Sequence, residues 1–194
     1  MEKLTGLKKI KTAVFISGTG SNLKNLIKFS KIKKSPISID LIVSNTNKAK
    51  GLSFANEFHI KKKIFNFKNF KEIEKSILLL LKKEKIKFIC LAGFMKILSE
   101  SFIKKFDGKI INIHPSLLPK YKGLDTHSRA LKNKDKFAGC TVHRVTAKLD
   151  SGKIILQKKT RIAVNDNSTS LAKKIRKQEH KLYPAAILKF LASL

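Results

Sequence analysis

The chain has 194 residues, 42% of them hydrophobic, which is enough to bury the core of one domain of ordinary size. Lys and Arg number 43 against 13 Asp and Glu, a formal charge of +30, yet the basic residues are spread along the whole length and are not interleaved with stacking aromatics as in a nucleic-acid module. The longest apolar runs, Ile77 to Leu81 and Ile86 to Met95, fall short of the ~20 residues of a bilayer span, and Cys90 and Cys140 lie inside apolar runs where a reduced thiol acts as a core residue.

Met1 to Lys9 is basic but lacks the apolar stretch of a secretory signal, so a cytoplasmic protein is expected. Lys11 to Ser17 then reads as a strand ending in Gly18-Thr19-Gly20, and Ser21 opens a stretch with Leu23, Leu26 and Ile27 at helical spacing. Ile37 to Val43 is a second strand, followed by polar Ser44 to Asn47 and a helix from Ala49 to Phe58. Ile64-Phe65 is a short third strand, Phe70 to Lys85 an amphipathic helix, and Lys87 to Ala92 a strand buried on both faces. A helix over Ser99 to Phe106 leads to the strand Lys109 to His114, closed by Pro115. Such repeated β-α units predict a doubly wound, mostly parallel α/β sheet. After Pro119 the pattern predicts a short helix over Thr126 to Leu131. Gly139 to Val145 and Lys153 to Ile162 then form a hairpin turning at Asp150-Ser151-Gly152, and Ser168 to Leu194 a terminal helix kinked or broken at Pro184.

Three constellations carry chemistry. The glycine turn before Ser21 and Asn22 feeds a helix N-terminus, where free N–H groups and the positive dipole end favour a phosphate. Leu23 stands where a dinucleotide fingerprint needs its third glycine, and Ser44-Asn45 where a ribose-binding acid should end the second strand, so a mononucleotide phosphate fits better than a nicotinamide cofactor. At the end of the Lys109 to His114 strand, alternation puts Asn112 and His114 on one side. An amide donor and an imidazole sharing a pocket suit the oxyanion and proton transfer of acyl chemistry. Asp150, read locally, is turn chemistry; if the hairpin folds over the strand end it could hold His114 protonated. His59, His127, His143 and His180 lack metal-ligand spacing and read as structural or surface groups.

The sequence resembles the phosphoribosylglycinamide formyltransferases along nearly its whole length. The resemblance is carried by Ile16 to Leu23 (ISGTGSNL), Leu91 to Leu98 (LAGFMKIL), Ile111 to Pro119 (INIHPSLLP), Leu149 to Gly152 (LDSG) and Gln178 to His180 (QEH), in the family's order. It implies a Rossmann-like formyltransferase fold in one domain, 1–194, with a nucleotide-phosphate half at about 10–108 and a catalytic and folate half at about 109–194. It also implies transfer of a formyl group from 10-formyltetrahydrofolate, as co-substrate, to the amine of glycinamide ribonucleotide in purine synthesis, without a metal. In that family Asn112 would match the oxyanion donor, His114 the protonated imidazole, and Asp150 the carboxylate that supports it and carries the proton through water. Gly20, Ser21 and Asn22 would match the phosphate loop, and Arg176, Lys177, Gln178 and Glu179 the segment that binds the ribosyl part. Met95, Lys96, Ile97 and Leu98, together with Asn112, Thr146, Ala147, Lys148, Leu149 and Asp150, would match the folate pocket. Methionyl-tRNA formyltransferase and the formyltetrahydrofolate hydrolases share the Asn, His and Asp set, but the additional domains they usually carry are not expected in 194 residues. The expected partners are small-molecule substrates, without membrane or nucleic acid, for a monomer or homodimer.

Overall fold

The computed structural model describes residues 9–66 and 70–194; the basic stretch at the amino terminus lies outside the described residues. Strand β1 (Ile10–Ile16) leads into helix α1 (Ser21–Lys31), then β2 (Ile37–Ser44), a single tight helical turn at Lys50–Leu52, and α2 (Ser53–Glu57). Next come β3 (Lys61–Ile64), α3 (Phe70–Lys83), β4 (Phe88–Leu91), α4 (Glu100–Lys105), β5 (Lys109–His114) and α5 (Thr126–Lys132). Strands β6 (Phe137–Arg144) and β7 (Ile154–Arg161) and helix α6 (Ser168–Leu191) complete the chain.

All the strands join one seven-stranded sheet in the order β3-β2-β1-β4-β5-β6-β7. Strands β1 to β5 run parallel, and β6 and β7 are added antiparallel at one edge. The fold is therefore a doubly wound, mostly parallel α/β sheet. Alternation along β1 sends Val14 and Ile16 to one face and Ala13 and Phe15 to the other, all without measurable exposure. The first pair packs with Leu23 and Leu26 of α1 and with Ile175, Tyr183 and Ile187 of α6. The second packs with Ile77 and Leu81 of α3 and Phe102 of α4. Fully burying a side chain of this kind stabilises the fold by about 1.5–3 kcal/mol, so a sheet covered on both faces needs the uninterrupted apolar strands seen here.

Two elements depart from the sequence reading. The third strand lies earlier than Ile64-Phe65, over Lys61–Ile64, with every side chain exposed and pairing only to β2. It is an edge strand, where lysines suit solvent and discourage further pairing, so it lacks the apolar signature of a strand. Helix α6 runs unbroken through Pro184. Proline removes the N–H that would bond the carbonyl of His180, and Asn25 Nδ2 of α1 donates to that oxygen instead at 2.7 Å.

The strand order reverses direction at β1, with β2 on one side and β4 on the other. Ligands of open α/β sheets bind beyond the carboxyl ends of strands at such a switch point. The glycine turn after β1 and the loop after β4 meet there, through Ser17 N–H donating to the Gly93 carbonyl at 3.1 Å and Met95 N–H donating to Ser17 Oγ at 2.7 Å.

Candidate active site

Gly20 caps α1 with φ 73°, and no side chain caps that helix end. The first-turn N–H groups are left open to an anion, strengthened by the helix dipole. A Cβ at Gly20 would stand 2.6 Å from the Cα of Gly51, so both the left-handed backbone and the close approach require glycine. One turn along, Asn22 Nδ2 donates to Glu179 Oε2 of α6 at 2.9 Å, while Asn22 Oδ1 is buried with no partner. Burial pushes the Glu179 carboxyl above its usual range, against the opposing pull of Asn22 and the Arg176 charge. Two residues 157 positions apart thus form one polar pair beside the glycine turn. Lys177 is exposed, and neither its side chain nor that of Gln178 makes a hydrogen bond or ion pair with the described residues.

The other half of the cleft is built on β5. Antiparallel pairing sets Asn112 opposite His143 and His114 opposite Thr141. The loop linking β6 to β7 folds back over the strand end, where Gly152 packs so close to the Arg144 carbonyl that a Cβ would meet it at 1.8 Å. This brings Asp150 Oδ2 to 3.4 Å from His114 Nδ1, and Asp150 Oδ1 to 3.4 Å from Asn112 Nδ2 and 3.6 Å from His143 Nε2. The Gly123 N–H donates to Asp150 Oδ2 at 2.9 Å. The Asp150 and His114 side chains are 8% and 7% exposed.

Hydrogen-bond chemistry fixes the tautomers. His114 Nε2 lies 2.8 Å from the Tyr121 carbonyl and His143 Nδ1 lies 2.8 Å from the Arg144 carbonyl. A carbonyl only accepts, so each of those nitrogens carries hydrogen. The remaining nitrogens, His143 Nε2 at 3.2 Å from Asn112 Nδ2 and His114 Nδ1 facing the Asp150 carboxylate, are the ones left to exchange a proton. The Asp150 contact also orients the Asn112 amide, because its oxygen would be repelled there.

Burial dominates the titration of His114 and holds it below the ordinary histidine range, although the Tyr121 carbonyl and the Asp150 charge pull upward. For Asp150, burial alone would raise the pKa, but the His143 ring, the Gly123 N–H and the His114 charge bring it below the usual carboxylate range. Burial thus opposes the imidazolium while the Tyr121 carbonyl and the Asp150 carboxylate favour it, and His114 Nδ1, facing that carboxylate, is the position where the pair takes or gives a proton.

Residues 10–187 match the formyl transferase family. The chain belongs to that family. It is 42% identical over 183 residues to the human trifunctional purine biosynthetic protein adenosine-3, covering 93% of this chain but 18% of that protein. It is 41% identical over 180 residues to phosphoribosylglycinamide formyltransferase of Haemophilus influenzae, covering 91% of this chain and 85% of that one. The solved phosphoribosylglycinamide formyltransferase of Brucella melitensis superposes with a TM-score of 0.90 at 42% identity, over 96% of this chain and 98% of that one.

Within this formyl transferase the expected folate wall divides. Met95 and Ile97 stand 62% and 57% exposed on the loop after β4, whereas Leu98 is 3% exposed and packs in the core. Thr146, Ala147, Lys148 and Leu149 are exposed on the loop ending at Asp150. His143, read from sequence as structural, is part of the site through Asn112 and Asp150. The Tyr121 carbonyl and Gly123 N–H were missed altogether, since backbone groups leave no residue-type signal. Among the described residues no group of three or more His, Cys, Asp and Glu side chains could hold a metal ion, and no helix is long and apolar enough to cross a membrane.

Proposed function

We propose that this chain, as one domain, transfers the formyl group of 10-formyltetrahydrofolate to the amine of glycinamide ribonucleotide, giving the N-formyl product and tetrahydrofolate for purine synthesis. The observation that carries the reading is the convergence of Asn112, His114 and Asp150 at the carboxyl end of β5, on the same edge of the sheet as the uncapped N-terminus of α1. The relatives named for this activity cover the chain almost completely.

Each subsite fits its share of the chemistry. The first turn of α1, with Gly20, Ser21 and Asn22, takes the nucleotide phosphate, and Glu179 takes the ribose hydroxyls from the far side. The segment Arg176 to Glu179 belongs to the carboxyl-terminal half, so both halves contribute to the nucleotide subsite. Met95, Ile97 and Leu149 are exposed apolar side chains on loops at the same rim, a surface that suits the flat ring system of a folate, and Lys96, Thr146, Ala147 and Lys148 complete that wall.

The bound folate supplies an activated formyl carbon, and the protein supplies charge and proton management. Asn112 Nδ2 donates to the oxygen on which charge develops, exchanging its long 3.4 Å contact to Asp150 for a shorter bond to an anion. The amine must lose a proton as it attacks. His114 Nδ1 receives that proton through water, because Nε2 already carries hydrogen, and Asp150 Oδ2 stabilises the imidazolium as it forms. The same proton then returns to the departing folate nitrogen. Burial favours the neutral ring, the form that accepts before it donates.

The direct test follows tetrahydrofolate release by absorbance with purified protein, with and without the nucleotide. Turnover dependent on the nucleotide is expected; turnover without any acceptor would make the chain a hydrolase and sink the reading. A second expectation concerns Asn22→Ala, which deprives buried Glu179 of its donor. Loss of a hydrogen bond to a charged group costs about 1.5–3 kcal/mol, so the Michaelis constant for the nucleotide should rise about tenfold with a smaller change in turnover. An unchanged Michaelis constant would remove Asn22 from that subsite.

A further inference from the structure

The segment 121–125 supplies both backbone groups that hold the proton-handling pair, and it does so in an unfavourable shape. Tyr121, Gly123 and Asp125 have φ of 56°, 77° and 56°. Left-handed backbone is uncommon for a residue as bulky as tyrosine and persists only where surrounding contacts impose it. The Tyr121 ring is fixed at its far end, where its hydroxyl donates to Asp135 Oδ2 at 2.9 Å and accepts from Asn133 Nδ2 at 2.9 Å. Those bonds leave the loop's own carbonyls untouched.

Arg129 reaches them. From α5 its Nη1 donates to the Lys122 carbonyl at 2.7 Å and the Leu124 carbonyl at 3.3 Å. Its guanidinium carbon lies 5.1 Å from the centre of the Tyr121 ring. Among the described residues no carboxylate pairs with Arg129, so its hydrogen-bonding capacity on this side goes to the loop.

We propose that Arg129 is a positioning residue whose guanidinium clamps the 121–125 loop, presenting the Tyr121 carbonyl to His114 Nε2 and the Gly123 N–H to Asp150 Oδ2. The inference rests on the roles given above to His114 and Asp150. With the clamp in place the imidazole keeps hydrogen on Nε2, so each transferred proton lands on Nδ1 against the carboxylate. Without it the loop relaxes toward ordinary backbone angles, the ring is free to turn or change tautomer, and Asp150 loses a donor. A planar fork stacked on an aromatic ring is something lysine cannot reproduce, although it keeps the charge.

The groups facing His114 are Asp150 from the β6–β7 loop, His143 from β6, and Arg129 and His127 from α5. Arg129 acts on His114 as a nearby cation as well as through the loop, and the two effects are separable by comparing Arg129→Ala with Arg129→Lys. Misplacing a reacting group by about 1 Å can cost about 100-fold, so turnover of the alanine variant should fall at least about tenfold with both Michaelis constants within about twofold of the parent. The lysine variant should recover only part of the turnover. In NMR titrations of the His114 ring protons, assigned with His114→Ala, the midpoint should fall in the lysine variant, which keeps the charge but loosens the Tyr121 carbonyl, and fall less in the alanine variant, where loss of the cation opposes that change, while the chemical shift moves in both. This readout needs no activity, so it holds even if the parent protein proves not to be a transferase. A His114 resonance unmoved in shift and midpoint by Arg129→Ala overturns the proposal, as does alanine-variant turnover within twofold of the parent.

Discussion

Asp150→Asn should lower turnover by about 100-fold or more, the range over which a positioned acid-base group accelerates proton transfer, with the fold retained by circular dichroism. An asparagine preserves the shape of the side chain but cannot stabilise a proton arriving at His114 Nδ1, which lies 3.4 Å from the carboxylate. His114→Ala should cost a similar factor. The double variant should be little worse than either single one, because the two residues act as a unit. The pH profile carries the sign of the argument. Both groups are held below their ordinary values, so the accepting form of the pair survives further into acid than a free histidine would, and kcat/KM should stay level until the pH passes below about 6.5. Stability follows the same direction. The contribution of the neutral buried ring is present above about 6.5 and is lost as pH falls toward the folded-state value, and that of the carboxylate is lost at lower pH still. An acid limb centred above pH 7, or near-parental rates in Asp150→Asn and His114→Ala, would overturn the mechanism.

How much of this site the sequence disclosed depends on how local each cause is. Asn112 and His114 were legible because strand alternation and the position of Pro115 are local, and because a parallel strand end is where such sheets bind. Asp150 was only half legible. Its turn chemistry is local, but its approach to His114 depends on β6 pairing with β5 in a register that places His143 opposite Asn112. No residue pattern within either segment encodes that register, which is why His143 was passed over. The burial of Leu98 was not legible for a related reason: the loop after β4 alternates between solvent and core, with Ile97 outside and Leu98 inside, and the direction of each side chain follows from packing against α3 and α4. Pro184 was read as a kink or break in a long helix because the rescue of the His180 carbonyl comes from Asn25, far away in sequence. β3 was displaced because an edge strand needs no apolar face.

Gly20→Ala tests the phosphate end of the cleft, and its effect should be large on stability as well as on binding. A residue with a Cβ at φ 73° carries a conformational cost of about 1–3 kcal/mol. The new Cβ would also stand 2.6 Å from the Cα of Gly51, a backbone atom that cannot rotate away, and forcing extra volume into a packed contact adds about 1–3 kcal/mol. Together these predict a loss of about 2–6 kcal/mol, which at about 2–4 °C per kcal/mol for a chain of this size lowers Tm by roughly 5–20 °C. The adjustment must be absorbed where Gly18 and Gly51 are joined by a backbone hydrogen bond of 3.0 Å, so the first-turn N–H groups of α1 shift and the Michaelis constant for the nucleotide should rise about tenfold or more. Gly18→Ala is the matched control. No atom lies within 4 Å of its added Cβ and its φ is outside the left-handed region, so its Tm should stay within about 2 °C of the parent, as expected for a change of under about 0.5 kcal/mol. If Gly20→Ala melts with the parent and binds the nucleotide equally well, the close contact between the two loops is not what shapes the anion site. If both variants lose stability alike, the cost lies in the flexibility of the turn and not in the approach of Gly20 to Gly51.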